Sequence, residues 1–416
     1  MPLRSLADPA IDYGDPETPA RLWRALVLAD MPTGKAIARP LGQLVAQLYA
    51  VARLAWAQWP GFAHAAVALG VVAAARRKSL RGFLAAGVLV VLVNYAGILA
   101  NANFELDPGP IYEVRFLFLP AYVIGALFAA CAAGALLGLC ARAGRHAVPV
   151  VGLLLCAALL PATHARHSVL DKHADRVFPD YGRALLAVPE GPALLFAFGD
   201  NAALIGAYLQ IVERERPDVI LIAAGLLRFA WYREQLRAAH PELELDDSAA
   251  VVALARANTA RFRLYHAHPE PQGFQGFVEV PTGVLTRIVP AGERLDPLVP
   301  PTPSFTPAWA PLDLRERSVR ADVAMGYART ATFWRARGDP ATALEACAAG
   351  LALVAPEPRM AEFHTARAAL LVERGDAELA RGRRSEARTA WEAARAESDD
   401  PQVVALVARR LGTGGG

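Results

Sequence analysis

Residues 194–222 read LLFAFGDNAALIGAYLQIVERERPDVILI, and this stretch decides the fold of the second half of the chain. An apolar run ends at Gly199-Asp200-Asn201, a helical pattern follows, and a second apolar run begins after Pro217. That order predicts a strand, a polar turn, a helix and a second strand. A nucleotide-binding turn needs a Gly-x-Gly-x-x-Gly or Gly-x-x-x-x-Gly-Lys-Ser/Thr pattern, and neither follows the strand. We therefore expect Asp200 or Asn201 to cap the helix, with ligand binding by the turn as the alternative.

The sequence around this stretch predicts a small α/β domain over residues 164–300. Strands are expected at Ala193–Phe198 and Asp218–Ala223, with a helix in WYREQLRAAH and shorter strands in RFRLYHAH and GFVEVPTGVLTRIVP. The Pro-rich segment DPLVPPTPSFTPAWAP follows, which is typical of a linker.

The composition of the whole chain indicates a protein that lies partly in lipid and partly in water. Hydrophobic residues make up 54% of the 416 residues and charged residues 20%, and the mean hydropathy is +0.26. The formal net charge of +3 gives no electrostatic argument for nucleic-acid binding. Four cysteines, three of them in apolar runs, do not suggest a disulfide framework.

Four apolar segments predict an α-helical transmembrane bundle over residues 61–163. Phe83–Ala100 and Phe116–Cys140 are long enough to cross a hydrocarbon core, which needs about 20 residues. Gly61–Ala75 and Ala147–Leu160 are short, and buried core helices are the alternative for them. Within residues 1–60, the spacing of apolar residues from Leu41 to Trp59 predicts a helix, either amphipathic at the membrane surface or packed in the bundle.

The charges of the links between these segments predict the orientation of the chain in a plasma (inner) membrane. Residues 76–81 and 142–146 are basic, whereas residues 101–115, NANFELDPGPIYEVR, are acidic. Basic links usually stay in the cytoplasm, so the acidic link and both ends of the chain are expected outside. Residues 1–20 contain no signal peptide, and we therefore expect further transmembrane helices ahead of this chain.

Residues 313–412 repeat a helical pattern. Gly338 aligns with Gly382, Ala343 with Ala387, and Cys347 with Trp391 four residues later. This pattern resembles tetratricopeptide repeats, although the two copies are spaced more widely than that family's period. Such repeats usually bind protein partners, and the pattern itself predicts no catalytic role.

Several of these stretches together resemble one known family. GDNAALIGAYLQIVERERPDVILI, WYREQLR, DPAIDYGDPETPARLWRAL and YEVRFLFLPAYVIGAL are similar to parts of multi-pass GT-C-type glycosyltransferases, in the same order along the chain. Bacterial members of this family are often described as a domain of unknown function with tetratricopeptide repeats, and a eukaryotic member is a transmembrane O-mannosyltransferase. The resemblance implies transfer of a sugar from a polyprenyl-phosphate donor to an acceptor hydroxyl, possibly on a protein, with no cofactor.

The resemblance also directs attention to the acidic link as a site. Glu105, Asp107 and Glu113 are the candidate catalytic carboxylates, and Arg115 is the candidate contact of the donor phosphate. The alternative for these residues is a solvated external loop.

The chain departs from the family's pattern in two places. Ala202-Ala203 stands where the family usually has Asp-Thr, and no Gly-Asp-Ser-Gly-Glu-like motif with the family's catalytic acid occurs. We therefore expect a C-terminal portion of a family member that is inactive alone. A non-enzymatic membrane-anchored scaffold is the alternative.

The histidines do not predict a metal site. His164, His167 and His173 follow the last apolar segment, and His266 and His268 share a strand face. None of them is accompanied by the cysteine or Glu-x-x-His partners that zinc sites use.

Overall fold

The structure, a computed structural model, describes most of the chain and divides it into two compact units. The described residues are 9, 14–26, 40–58, 61–101, 115–144, 146–171, 173, 176–247, 250–267, 274–292, 297, 314–354, 361–398 and 401–413. One unit comprises residues 31–174, and the other combines residues 1–30 with residues 175–416. The described part is mostly helical and contains one small mixed sheet, which confirms the fold class at that level. The predicted domain boundaries stay predictions.

The unit of residues 31–174 consists of helices in its described parts. The α-helices are α2 (Leu41–Gln58), α3 (Gly61–Arg76), α4 (Arg81–Asn101), α5 (Leu119–Ala143) and α6 (Ala147–Leu170), numbered after α1 (Pro19–Leu26) of the other unit. Short 3₁₀ helices at Lys78–Leu80 and Arg115–Phe118 precede α4 and α5.

Two helical segments of this unit are long and apolar enough to cross a membrane. They are Lys78–Leu99 and Leu119–Ala143, and α2 with α3 would make a third if that bent pair is one span. At 1.5 Å per residue, the 25 residues of α5 extend about 37 Å, which exceeds the hydrocarbon thickness of about 30 Å. The apolar part of α6, Ala147–Pro161, is shorter. The described residues therefore contain two to three candidate spans, and the four-span topology stays a prediction.

Small residues bring α3 and α4 close to α5. A Cβ added at Gly70 would collide with the backbone carbonyl of Phe128, so α3 and α5 cross where only glycine fits. Gly87 of α4 lies against the ring of the same Phe128, at 2.9 Å from an added Cβ. Close packing through small residues is typical of helices in a bilayer, where burial of apolar surface does not drive helices together.

The second unit contains a five-stranded sheet flanked by helices. Its elements are α7 (Val177–Ala187), β1 (Ala193–Ala197), α8 (Asp200–Ile211), β2 (Val219–Ala223), α9 (Ala230–Ala239), α10 (Val251–Asn258), β3 (Arg263–His266), β4 (Phe277–Thr282) and β5 (Leu285–Pro290). The strands and helices predicted around Gly199 and in WYREQLRAAH are thus confirmed, with boundaries shifted by a residue or two.

The strand order is β2-β1-β3-β5-β4, and β1 runs parallel to both of its neighbours. The remaining pairs, β3 with β5 and β4 with β5, are antiparallel. All five residues of β1 are buried, because alternate side chains enter two different cores. Leu195 belongs to the core beneath α7, whereas Leu194 and Phe196 belong to the core beneath α9 and α10. A strand buried on both faces explains why its sequence is continuously apolar.

In the described part of the chain, five helices follow the sheet and pack against one another as helical hairpins. They are α11 (Leu314–Ala336), α12 (Pro340–Val354), α13 (Ala361–Ala380), α14 (Arg384–Glu397) and α15 (Pro401–Thr413). Gly338 and Gly382, the residues aligned in the sequence, occupy the inter-helix turns with φ of 82° and 79°, a left-handed conformation that favours glycine. The aligned Ala343 and Ala387 are both buried. The helical part of the repeat prediction is confirmed, and the tetratricopeptide assignment stays a prediction.

The helical hairpins and the sheet share one apolar core. Leu185 of α7 and Leu195 of β1 belong to the same buried cluster as Val323 of α11 and Phe363 of α13. The hairpins are therefore packed onto the α/β layer through α11.

Candidate functional site

The carboxyl ends of β1 and β3 form the place where a ligand would be expected in a sheet of this topology. The chain leaves β1 toward β2 on one side, whereas it leaves β3 toward β4 and β5 on the other. In open α/β sheets, ligands bind in the crevice at such a topological switch point, outside the carboxyl ends of the strands. We refer to the space between the ends of β1 and β3 as the switch-point crevice.

Helix α11 places polar side chains over this crevice. Asn201, in the first turn of α8 after β1, donates hydrogen bonds through Nδ2 to Ser318 Oγ at 2.5 Å and to Asp322 Oδ2 at 3.1 Å. On the other side of the crevice, Arg329 Nη2 donates to the carbonyl oxygen of Ala267, just after β3, at 3.2 Å. Ser318, Asp322 and Arg329 are spaced so that they lie on one face of α11. The crevice is thus covered by a helix of the same chain.

The N-terminus of α8 does not have the cap predicted from the sequence. The helix begins at Asp200, and its N-cap position is Gly199, which has no side chain to accept a hydrogen bond. The capping interpretation of Asp200 and Asn201 is therefore wrong. The Asn201 amide donates instead to α11, because α11 packs against this end of the sheet.

Asp322 joins three elements through its carboxylate. Besides the Asn201 amide, Oδ2 accepts a hydrogen bond from the hydroxyl of Tyr181, on α7, at 3.4 Å. Tyr181 is only 2% exposed, so its hydroxyl depends on a partner within the protein. Burial raises the pKa of Tyr181 well above its ordinary value, and the nearby negative charge of Asp322 adds to the increase. The phenol therefore stays protonated and acts as a donor.

Arg329 supplies the positive charge of the cluster. Burial lowers the pKa of its guanidinium, while Tyr181, Asp322 and Glu279 oppose that effect. Its Nη1 atom is buried and has no hydrogen-bond partner among the residues that the structure describes. The positive charge of Arg329 thus lies near the carboxylates of Asp322 and Glu279, and its Nη1 atom has a donor that no described residue uses.

His266 and Glu279 extend the cluster along the sheet. His266, at the end of β3, is fully buried, and its Nε2 lies 3.3 Å from Oε2 of Glu279 on β4. The imidazole also stacks on Phe274, with ring centroids 5.3 Å apart. The neighbouring His266 lowers the pKa of Glu279, which is therefore ionised at neutral pH.

This arrangement has the chemistry of a structural polar network. Ser318 Oγ is bonded by an amide donor, and within the described residues its hydroxyl makes no recorded bond to a histidine or carboxylate that would activate it as a nucleophile. Asp322 accepts from two donors, and Glu279 is held beside His266. These half-buried charged groups thus have partners within the protein, which lowers the cost of removing them from water.

The other residues predicted for the site fall in different places. Glu105, Asp107 and Glu113 lie outside the described residues. Arg115 is the first residue of the 3₁₀ helix Arg115–Phe118 that leads into α5. Asp200 is exposed at the start of α8.

The histidines that follow the apolar segments are mostly exposed. His164 and His167 lie on α6, which continues to Leu170, and His173 contacts Asp171. His268 lies outside the described residues. In the described part of the chain, no three or more His, Cys, Asp or Glu residues are grouped so that they could hold a metal ion.

Sequence analysis missed most of the cluster over the switch-point crevice. Tyr181, Ser318, Asp322 and Arg329 belong to helices that the sequence assigns to packing, and more than 100 residues separate Asn201 from its two partners on α11. One signal in the sequence could have indicated this cluster. Asp322 and Arg329 interrupt the apolar spacing of α11, and charged residues on a buried helix face require partners.

No protein-family model matches the chain, and neither does any curated protein or solved structure.

Proposed function

We propose that the chain takes part in membrane-bound glycosyl transfer of the GT-C type, with a polyprenyl-phosphate-linked sugar as donor and a hydroxyl group as acceptor. In this proposal it is an inner-membrane protein whose α/β layer and helical hairpins lie outside the cytoplasm. The acidic link with Glu105, Asp107, Glu113 and Arg115 meets the donor at the outer membrane face.

The observation that carries the proposal is the position of the Gly199-Asp200-Asn201 stretch between strand β1 and helix α11. It follows a buried parallel strand, and its Asn201 is bonded to a helical hairpin instead of facing an open crevice. The described part of the same chain contains two to three helices apolar enough to cross a membrane. This combination supports a membrane protein with an accessory α/β layer. It does not favour a soluble nucleotide enzyme, because such an enzyme would need a glycine loop and a crevice open to the nucleotide.

The described residues favour a supporting role for the α/β layer over a catalytic one. Its two carboxylates near the crevice, Asp322 and Glu279, are occupied by Asn201, Tyr181 and His266. A general base for an acceptor hydroxyl must reach that hydroxyl directly or through one water molecule. In this proposal the α/β layer therefore positions the other parts of the protein and contributes no catalytic base.

The test is retention and transfer of a lipid-linked sugar by the full chain purified in detergent. Radiolabelled polyprenyl-phosphate-mannose and polyprenyl-phosphate-glucose serve as donors, and a hydroxyl-rich peptide serves as acceptor. We expect retention of a donor without transfer, because the chain has no Gly-Asp-Ser-Gly-Glu-like motif. Arg115→Ala should weaken retention about tenfold through loss of a charge-assisted hydrogen bond.

Arg142→Ala is the matched control, since Arg142 lies in a link predicted to face the cytoplasm, and it should leave retention unchanged. Robust transfer that Glu113→Gln abolishes would show that the base lies in this chain and that the prediction of inactivity is wrong. Absence of retention for both donors would contradict the glycosyl-transfer proposal itself.

A non-enzymatic, membrane-anchored scaffold is the second candidate. The observation that favours it is the shared core of Leu195, Val323 and Phe363, which fixes the helical hairpins rigidly onto the α/β layer. Hairpin arrays commonly present a surface to a protein partner. A scaffold would retain neither donor, so the same measurement separates the two candidates.

A further inference from the structure

A cavity lined by arginines lies at the carboxyl end of β2 and shares none of its lining residues with the cluster over the switch-point crevice. Helix α1 meets the loop between β2 and α9 there, and the two line a cavity of about 410 Å³ that is open to solvent. Both segments belong to the same compact unit. Arg21 and Arg24 line the cavity from α1, whereas Arg228 and Arg233 line it from the loop and α9. We refer to this cavity as the arginine pocket.

The arginine pocket carries an excess of positive charge. The carboxylates nearest to it belong to Asp15, which pairs with Arg21, and to Glu234, whose Oε2 lies 3.9 Å from Arg21 Nη2. Four arginines line the cavity together with one acidic residue, Glu234, so cationic side chains outnumber carboxylates in its wall. Guanidinium groups clustered around a concave surface create a potential that attracts anions.

The guanidinium group of Arg233 is held in place and has donor capacity left. Its Nη1 atom donates to the carbonyl oxygen of Leu227 at 2.7 Å, while its Nε atom is buried and has no hydrogen-bond partner among the described residues. The nearest carboxylate recorded for Nε is that of the exposed Asp247, at 4.0 Å. A guanidinium group fixed in the wall of a cavity is suited to an oxygen-rich anion, because its planar donors match a phosphate in pairs.

The backbone of the pocket adds to this preference. Helix α9 begins at Ala230, and Phe229 at its N-cap position provides no side-chain hydrogen bond. The N–H groups in the first turn of a helix attract anions, and phosphates commonly bind there. Arg228, Arg233 and the N-terminus of α9 thus converge on one side of the cavity.

Aromatic rings form another side of the arginine pocket. The rings of Phe229 and Trp231 are stacked, with centroids 5.9 Å apart and planes inclined by 14°. The guanidinium group of Arg228 lies 4.7 Å from the centroid of the Phe229 ring. The cavity is larger than a phosphate ion requires, and the flat apolar surface offers room for an organic group attached to the phosphate.

We propose that the arginine pocket binds a phosphate or diphosphate ester, with the phosphate held by Arg228, Arg233 and the N-terminus of α9, and the organic part lying against Trp231. This site does not depend on glycosyl transfer. The same chemistry occurs in soluble sugar phosphates and in lipid-linked phosphates.

Isothermal titration calorimetry of the full chain in detergent tests the proposal, with three probes in separate titrations. They are inorganic diphosphate, mannose 1-phosphate and undecaprenyl phosphate. We expect binding of at least one ester that Arg228→Gln weakens about tenfold or more, since a lost charge-assisted hydrogen bond to phosphate has an effect of this size. Arg228 is exposed and forms no hydrogen bond or ion pair with the residues that the structure describes, so its substitution should leave the fold intact.

Arg395→Gln, which removes an exposed arginine of α14, is the control and should leave affinity unchanged. Trp231→Ala should weaken binding of mannose 1-phosphate more than binding of diphosphate. Binding of mannose 1-phosphate that depends on Arg228 supports the site with a soluble ligand. Binding of undecaprenyl phosphate alone, with the same dependence, supports it with a lipid-linked ligand. The proposal is overturned if none of the three probes binds, or if Arg228→Gln and Arg395→Gln change affinity equally.

Discussion

Asn201→Ala should loosen the contact between α8 and α11, because the Asn201 amide joins the two helices through two hydrogen bonds. The substitution removes a hydrogen bond to Ser318 Oγ at 2.5 Å and one to the carboxylate of Asp322 at 3.1 Å. A neutral hydrogen bond contributes about 0.5 to 1.5 kcal/mol and one to a charged group about 1.5 to 3 kcal/mol. Because Asn201 and Asp322 are only half-buried, we take a lower total of about 1 to 3 kcal/mol for the local opening free energy.

Hydrogen–deuterium exchange of the full chain in detergent measures this local opening directly. Since each 1.4 kcal/mol corresponds to a factor of ten, exchange in peptides from residues 201–211 and 314–330 should accelerate about 5- to 150-fold. Leu204→Ala, at an exposed position of the same helix, is the control and should change exchange little. The double variant with Asp322→Ala should be less affected than the sum of the single variants, since both remove the same bond. Unchanged exchange in residues 314–330 of Asn201→Ala would refute the inference that this amide holds α11 over the crevice.

Three further predictions concern other parts of the chain. Single cysteines introduced at Ser79 and Asp107, in a background without the native cysteines, should be labelled from opposite sides of the membrane, with Ser79 in the cytoplasm. Labelling of both positions from the same side would contradict the predicted orientation. Gly375→Ala should lower the apparent melting temperature, because an added Cβ would meet the indole of Trp391 and such overpacking costs about 1 to 3 kcal/mol. Gly412 has open space around it, so Gly412→Ala is the control and should not lower the melting temperature. The Glu279 carboxyl has a pKa lowered by His266, so its contribution to stability is present above the ordinary value of 4.5 and lost as pH falls through the folded-state pKa. The difference in melting temperature between the native chain and Glu279→Gln should therefore shrink below about pH 4.5, and a difference that stays constant down to pH 3 would argue against this ion pair.

The elements around Gly199 could be predicted because their information is local. β1 and β2 are continuously apolar, and the turn between β1 and α8 is marked by Gly199-Asp200-Asn201. The inter-helix glycines at 338 and 382 gave an equally local signal, since both adopt a left-handed backbone conformation. Local signals also predicted the two long apolar helices.

The contacts that define the candidate site could not be predicted, because they join distant parts of the chain. Asn201 is followed by more than 100 residues before Asp322, and Arg21 by more than 200 before Arg228. Sequence spacing shows that Asp322 and Arg329 share a helix face but not which surface that face meets. The capping interpretation of Asn201 was wrong for this reason, since a tertiary partner replaced the local one.

A dissolved molecule that binds at the switch-point crevice must compete with α11, which already covers it. Because Ser318 and Asp322 are covalently part of the same chain as Asn201, they reach it as an intramolecular ligand. Groups joined in this way commonly meet at effective concentrations in the millimolar range. The concentration of a free competitor in the micromolar range is thus about a thousandfold lower than the effective concentration of the groups on α11. Access to this end of the sheet is therefore governed by the displacement of a helix, not by the abundance of a small molecule.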